Sequence, residues 1–199
     1  MSARKFLAAL VLVSLAGTQD LQAGVLSGLT RDLHETPSVK YIQARKRTMA
    51  PFAHVMFCAR QPQECEAKSG SAVVALSAYA DKQLRAVNAS VNRSIVPRND
   101  ASGKIADDVW EVNVKSGDCE DFALTKRDHL IAMGWSSKAL RIAVARTPYG
   151  EGHAVLVVKT NVGDLVLDNR TNAIKTWDKT DLNWVMIQSG DDPRVWYEL

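Results

Sequence analysis

The sequence predicts an α+β domain with its helices first and an antiparallel sheet after them. Three observations carry that prediction. Apolar residues between 72 and 95 recur at helical spacing, residues 117–134 run from a polar start through good helix formers to a glycine, and from residue 139 onward the pattern shifts toward strand-length runs separated by short turns. At 199 residues, 46% hydrophobic and 24% charged, the chain suits one globular domain with a core of its own.

Taken in order, Met1-Ser2-Ala3-Arg4-Lys5 is a basic start followed by 11 apolar-rich residues, 6–16. That is the length of a signal-peptide core and falls short of the roughly 20 residues a spanning helix needs. We expect residues 1–23 to be a signal peptide cut after Ala23, with Ala16 as the second choice, leaving 24–199 as a single exported, periplasmic domain without a transmembrane segment. An N-terminal buried helix is the other reading.

Residues 24–50 read as an arm interrupted at Thr36-Pro37, and Arg45-Lys46-Arg47 as a solvated face. Residues 50–58 read as an extended segment, with His54 structural, leading into a loop between Cys58 and Cys65. In an oxidising compartment that spacing permits a small disulfide. Two free thiols, or a zinc site with His54, are the alternatives. If the two are bonded, Cys119 is left as an odd thiol, which points to a role for it.

Val74, Leu76, Tyr79, Leu84, Val87, Val91 and Ile95 give one long helix over 72–95, stopped by Pro97. Residues 97–116 form a polar connection long enough to be functional, in which Trp110 either lines a cleft or anchors the loop. A second helix runs from Cys119 to Met133, with Gly134 at its C-terminal cap. Strands are expected at 139–144, 153–160 and 165–168, the last two joined by the turn 161–164, with further short strands at 174–177, 185–188 and 195–197.

The chemistry concentrates in Gly117-Asp118-Cys119-Glu120-Asp121-Phe122. A helix N-terminus presents unpaired N–H groups and a positive dipole end, which lower a thiol pKa and can hold an oxyanion. His153 opens one expected strand and Asp168 ends the next, so nucleophile, base and orienter follow in chain order. Of the four histidines, His34 and His54 precede the sheet and His129 lies about 15 Å along the helix from Cys119, at 1.5 Å per residue. Taken singly, each residue has an ordinary reading: a buried cysteine, a polar strand histidine. A formal net charge of +3, with no basic stripe and no nucleic-acid motif, argues against nucleic acid as a partner.

These blocks, with Gly150-Glu151-Gly152-His153-Ala154-Val155-Leu156, Leu165-Val166-Leu167-Asp168-Asn169 and the late Gln188-Ser189-Gly190-Asp191-Asp192-Pro193-Arg194-Val195-Trp196, resemble the bacterial transglutaminase-like cysteine proteinases over roughly residues 50–197. The resemblance implies a papain-like, transglutaminase-like core with Cys119, His153 and Asp168 in the family's triad positions, hydrolysing a peptide bond in a protein substrate. A transglutaminase or other acyl transferase would use the same triad, and a non-catalytic periplasmic binding module would keep only the fold. LapG-like members of the family cleave a surface adhesin, need calcium and are held by an inner-membrane receptor that senses cyclic di-GMP. The cysteines 58 and 65 and the short C-terminus look more like a branch whose substrates are not established. By the same resemblance Asp118, Glu120 and Asp121 are candidate calcium ligands; their ordinary reading is charge complementation of the helix start.

Overall fold

The computed structural model describes residues 40–100 and 108–199; the expected signal peptide, 1–23, lies outside the described residues, as do the arm up to residue 39 and the 101–107 part of the polar connection. The elements are β1 (Arg47–Thr48), α1 (Phe52–Arg60), α2 (Ala78–Ser94), β2 (Val96–Pro97), β3 (Ser116–Gly117), α3 (Cys119–Ala132), β4 (Leu140–Arg146), β5 (Gly152–Thr160), β6 (Gly163–Leu167), β7 (Lys175–Thr176), β8 (Asn183–Gln188) and β9 (Trp196–Glu198). The class is the expected one, α+β with helices packed on an antiparallel sheet.

The seven-stranded sheet runs β1-β9-β8-β4-β5-β6-β7, and every neighbouring pair is antiparallel. The expected meander holds from β4 to β7. After β7 the chain crosses back and pairs β8 on the other side of β4, and β9 then takes β1 as its outer neighbour. Alternation along β4, β5 and β6 sends Leu140, Ile142, Leu156, Val158, Leu165 and Leu167 into the core beneath the helices. Ala143, Ala145, Val155, Val157 and Val166 form a second apolar layer, closed by Ile42, Leu182, Trp177 and Trp184.

Two helix expectations need correction. Residues 50–58 are not extended: Pro51 stands at the N-cap of α1, which buries Ala53, His54 and Phe57. The positions 53, 54 and 57 are one helical face, and tertiary burial of that face decides the conformation. The long helix begins at residue 78, not 72, because the Ser77 hydroxyl accepts from Ala80 N–H at 3.1 Å and fixes the start. Ahead of it, Val74 forms a parallel bridge with Thr160, giving its N–H to the Lys159 carbonyl at 2.9 Å.

The Cys58–Cys65 disulfide is formed and staples α1 to the turn that follows it. Trp110 answers to both readings: it is 3% exposed and meets His54 and Trp196 edge-on in the core, and it also lines the cavity next to Cys119. Gly134 ends α3 at φ +91°, a left-handed value that costs glycine little.

Candidate active site

Cys119 takes the first position of α3, where Asp118 is the N-cap residue in an extended conformation and makes no side-chain cap bond. The first turn therefore keeps its N–H groups unmasked by a side-chain cap. The approach is held by the short parallel pair β2–β3 and by Arg98 N–H donating to the Gly117 carbonyl at 2.8 Å. Gly117 has to lack a side chain, because a Cβ there would run into the Asp121 carboxylate. The half-buried Cys119 thiol accepts from Ala154 N–H at 3.2 Å and donates to Glu120 Oε2 at 3.2 Å, so the start of β5 meets the start of α3 at sulfur.

His153 and Asp168 meet by register. Leu156 pairs with Leu167, so one step further Asp168 stands opposite Val155, and His153 is its diagonal neighbour on the same face. Asp168 Oδ1 and His153 Nε2 lie 2.9 Å apart, both side chains buried. Burial alone would raise the Asp168 carboxyl, but hydrogen bonds from His153 and Arg170 outweigh it and hold the group well below the usual carboxylate range. Cys119 and His153 both line one cavity of about 900 Å³, together with Asp118, Glu120, Asn169 and Arg170.

Arg170 was missed from the sequence. Its N–H reaches Asp168 Oδ1 at 2.9 Å, while its Nε and one terminal nitrogen reach Oδ2 at 3.0 and 2.8 Å. That same nitrogen also binds Asp181 at 2.7 Å. The guanidinium so fixes the outer carboxylate oxygen, leaving the inner one for His153. An arginine two residues beyond the acid was the available signal.

The acidic residues divide. Asp118 and Glu120 lie with Asp100, their carboxylate oxygens within 4.8 Å of one another, whereas Asp121 turns away and accepts the Glu111 N–H at 2.8 Å. Asp100, 18 residues before Asp118, joins them because its own N–H reaches Asp118 Oδ2 at 3.3 Å and its carboxylate accepts from Val109 N–H at 2.6 Å. Among the described residues, buried Asp118 Oδ1 and Glu120 Oε1 have no hydrogen-bond partner. Burial, with the Asp118 carboxylate beside it, pushes Glu120 up to about 10. Three crowded carboxylates, two of them with an oxygen unpartnered among the described residues, are chemistry suited to a hard cation.

The thiol departs from the simple helix-terminus expectation. Burial pushes Cys119 well above its ordinary range and the Glu120 charge adds to this, against a lowering hydrogen bond from Ala154 N–H. Burial leads and the flanking acids add to it, so the thiol is held above its ordinary range and not below it.

Residues 44–199 match the family described as bacterial transglutaminase-like cysteine proteinase. The chain belongs to this family. Among solved structures, Legionella pneumophila LapG is 30% identical over 59% of this chain and 68% of its own, with a TM-score of 0.51. The calcium-bound and EGTA-treated forms of Legionella pneumophila LapG are each 31% identical over 54% of this chain, with TM-scores of 0.49 and 0.45. This chain spans 64% and 62% of those two, a little under two thirds. None of the curated proteins matches it. Among the described residues no helix is long and apolar enough to cross a membrane.

Proposed function

We propose that this bacterial transglutaminase-like cysteine proteinase is an exported peptidase in which Cys119 is the nucleophile, His153 the general base and then acid, and Asp168 the orienter. The observation that carries the reading is the shared cavity of Cys119 and His153, with His153 tied through Nε2 to Asp168 at 2.9 Å. A proton on Nε2, held by Asp168, leaves Nδ1 as the acceptor for the thiol proton. The thiolate attacks the scissile carbonyl carbon, the Cys119 N–H donates to the oxyanion, and imidazolium protonates the leaving amine. Water then attacks the thioester with His153 again as base, which releases the acid product and restores the thiol. The periplasmic location, with residues 1–23 removed as a signal peptide, belongs to the same proposal.

A protein substrate suits the surroundings. Met49 lines the cavity and is 87% exposed, and Phe52, Val55 and Met56 continue outward on α1 as exposed apolar side chains, a lip for a polypeptide rather than a closed pocket for a small molecule. Asp100, Asp118 and Glu120 would hold a calcium ion, and its charge would offset the carboxylates beside the thiol. Calorimetric titration of calcium into chelator-treated protein is expected to give a saturable isotherm that Asp100→Asn weakens; a flat trace removes the ion from the proposal.

The reaction and its substrate are tested together by comparing new protein N-termini in the exported proteomes of wild type and Cys119→Ala strains. Termini present only in wild type identify the cleaved protein. Identical sets in both strains overturn the peptidase reading.

A further inference from the structure

We infer that Val144 and Met186 form a subsite for an apolar side chain of the protein substrate, close to the scissile bond, and so set which bonds are cut. The inference rests on the peptidase reading above and names what that site selects. On β4 the helix-side face is fully covered at Leu140 and Ile142, 2% and 0% exposed, and runs on past that cover to Val144. Val144 is only half-buried: it packs against the core and also lines the cavity of Cys119. Met186 on β8 does the same.

Register joins them to the thiol. Ala154 pairs with Val144, and Val144 pairs with Met186, so the three stand in one row on one face of the sheet. Ala154 is the residue whose N–H reaches Cys119 Sγ at 3.2 Å. With strands about 4.8 Å apart, Val144 lies about 5 Å and Met186 about 10 Å along the row from the residue that touches sulfur. An extended substrate advances about 3.3 Å per residue, so a side chain within three residues of the scissile bond reaches the row. A bulge follows at once: Ala145 pairs with Trp184, which leaves Val185 as the extra residue and bends β8 beside the cavity. The charged lining residues Arg98, Glu151 and Arg170 stand outside the row, on the segments after β2, before β5 and after β6. A polar side chain laid over Val144 and Met186 loses water and gains no strong hydrogen-bond partner from them, whereas an apolar one extends the cover of the sheet face. The flexible thioether of Met186 lets aliphatic side chains of different shape fit.

The test digests a peptide library, prepared from denatured cell protein, with the full chain in calcium-containing buffer. Cys119→Ala is the blank, and the residues flanking each new N-terminus are counted. Wild type is expected to prefer apolar over polar side chains by about tenfold or more at one position within three residues of the cut. Met186→Gln and Val144→Thr, close in size to the residues they replace, should each reduce that preference to about threefold or less. Because the preference is a ratio within one digest, a partly unfolded variant lowers the yield and leaves the ratio readable. Cuts without an apolar preference, or with one that neither variant changes, overturn the inference while upholding the peptidase reading. Met49→Gln separates the row from the exposed lip: a preference lost there but kept in Met186→Gln and Val144→Thr also overturns the inference. Digests with no terminus beyond those of Cys119→Ala overturn the peptidase reading, and this inference falls with it.

Discussion

Among the described residues two buried histidines, His54 against the Cys58 and Cys65 sulfurs and His153 in the cavity that Cys119 also lines, have unlike surroundings. His54 is 1% exposed, with Cys58 Sγ 3.6 Å from its Nε2, packed against Phe57 and edge-on to Trp110 and Trp196. Gln188 Nε2 donates to His54 Nε2 at 2.8 Å, and among the described residues no carboxylate bonds the ring. Burial, with the Arg127 charge nearby, lowers His54 to about 4, so it stays neutral and its sulfur neighbours are locked in a disulfide. His153 has a carboxylate at 2.9 Å and shares a cavity with the unpaired Cys119. A Cys–His pairing becomes chemical only where the sulfur is free, the ring has an anion behind it and a substrate can reach both.

The comparison is broken most severely at the second pair. Cys119→Ala and His153→Ala are each expected to abolish turnover while near-UV circular dichroism and unfolding midpoint stay close to wild type. The corresponding change at His54 should do the reverse, lowering stability and leaving turnover per folded molecule intact. Asp168→Asn is expected to leave a residual rate, on the order of 10⁴-fold below wild type if the wrong tautomer dominates as it does in serine proteinases. Asn169→Ala should be far milder: the side chain lines the cavity but makes no bond to His153. Single-turnover kinetics on the substrate found by N-terminal mapping checks all five, and an Asn169 loss equal to that of Asp168 would reassign the orienter.

Much of this site was legible because its parts are local. Gly117 to Phe122 announces a helix start with a cysteine in it, and two strand-length runs joined by a short turn allow a histidine and an aspartate to face each other. What escaped is what depends on distant neighbours. Asp100 reaches Asp118 only because β2 pairs with β3 and folds the polar connection back, while Asp121, adjacent in sequence to the acids it was grouped with, is held by Glu111. The Pro51–Cys58 segment hid a helix because its apolar face is short and its burial comes from Trp110 and Trp196. The β8 crossover to the far side of β4 has no local signature at all.

At His54 the effect is one of stability and has a definite direction. A histidine whose folded-state pKa is about 4, against an ordinary 6.5, takes up its proton more readily unfolded than folded between those values. Stability from this group is therefore undiminished above pH 6.5 and falls as pH drops toward 4, by at most about 3 kcal/mol. Asp121, raised to about 7 by burial, and Glu120, raised to about 10, work in the opposite direction across this window, so the wild-type curve alone mixes all three. The difference in urea-unfolding free energy between wild type and His54→Gln, followed from pH 7 to 4.5, isolates the histidine. Wild type should lose more stability on acidification than the variant, and parallel curves would mean that His54 does not resist protonation.

The smallest expected effect belongs to the bond beside that histidine. Cys58 and Cys65 are seven positions apart, and closing so short a loop removes little freedom from the unfolded chain. The chain-entropy relation gives about 2 to 3 kcal/mol, or roughly 5–10 °C in Tm for a domain of this size. The disulfide acts mainly on the unfolded state, and His54 keeps its Gln188 and tryptophan neighbours without it, so a Cys58→Ser/Cys65→Ser chain should lose that stability yet turn over substrate at the wild-type rate. Alkylation of denatured wild-type protein without reductant should label one thiol, at Cys119, and three labelled thiols would remove the bond. A double variant that is as stable as wild type but slowed in turnover would show that the two Cys–His regions communicate, and the separation drawn between them would fail.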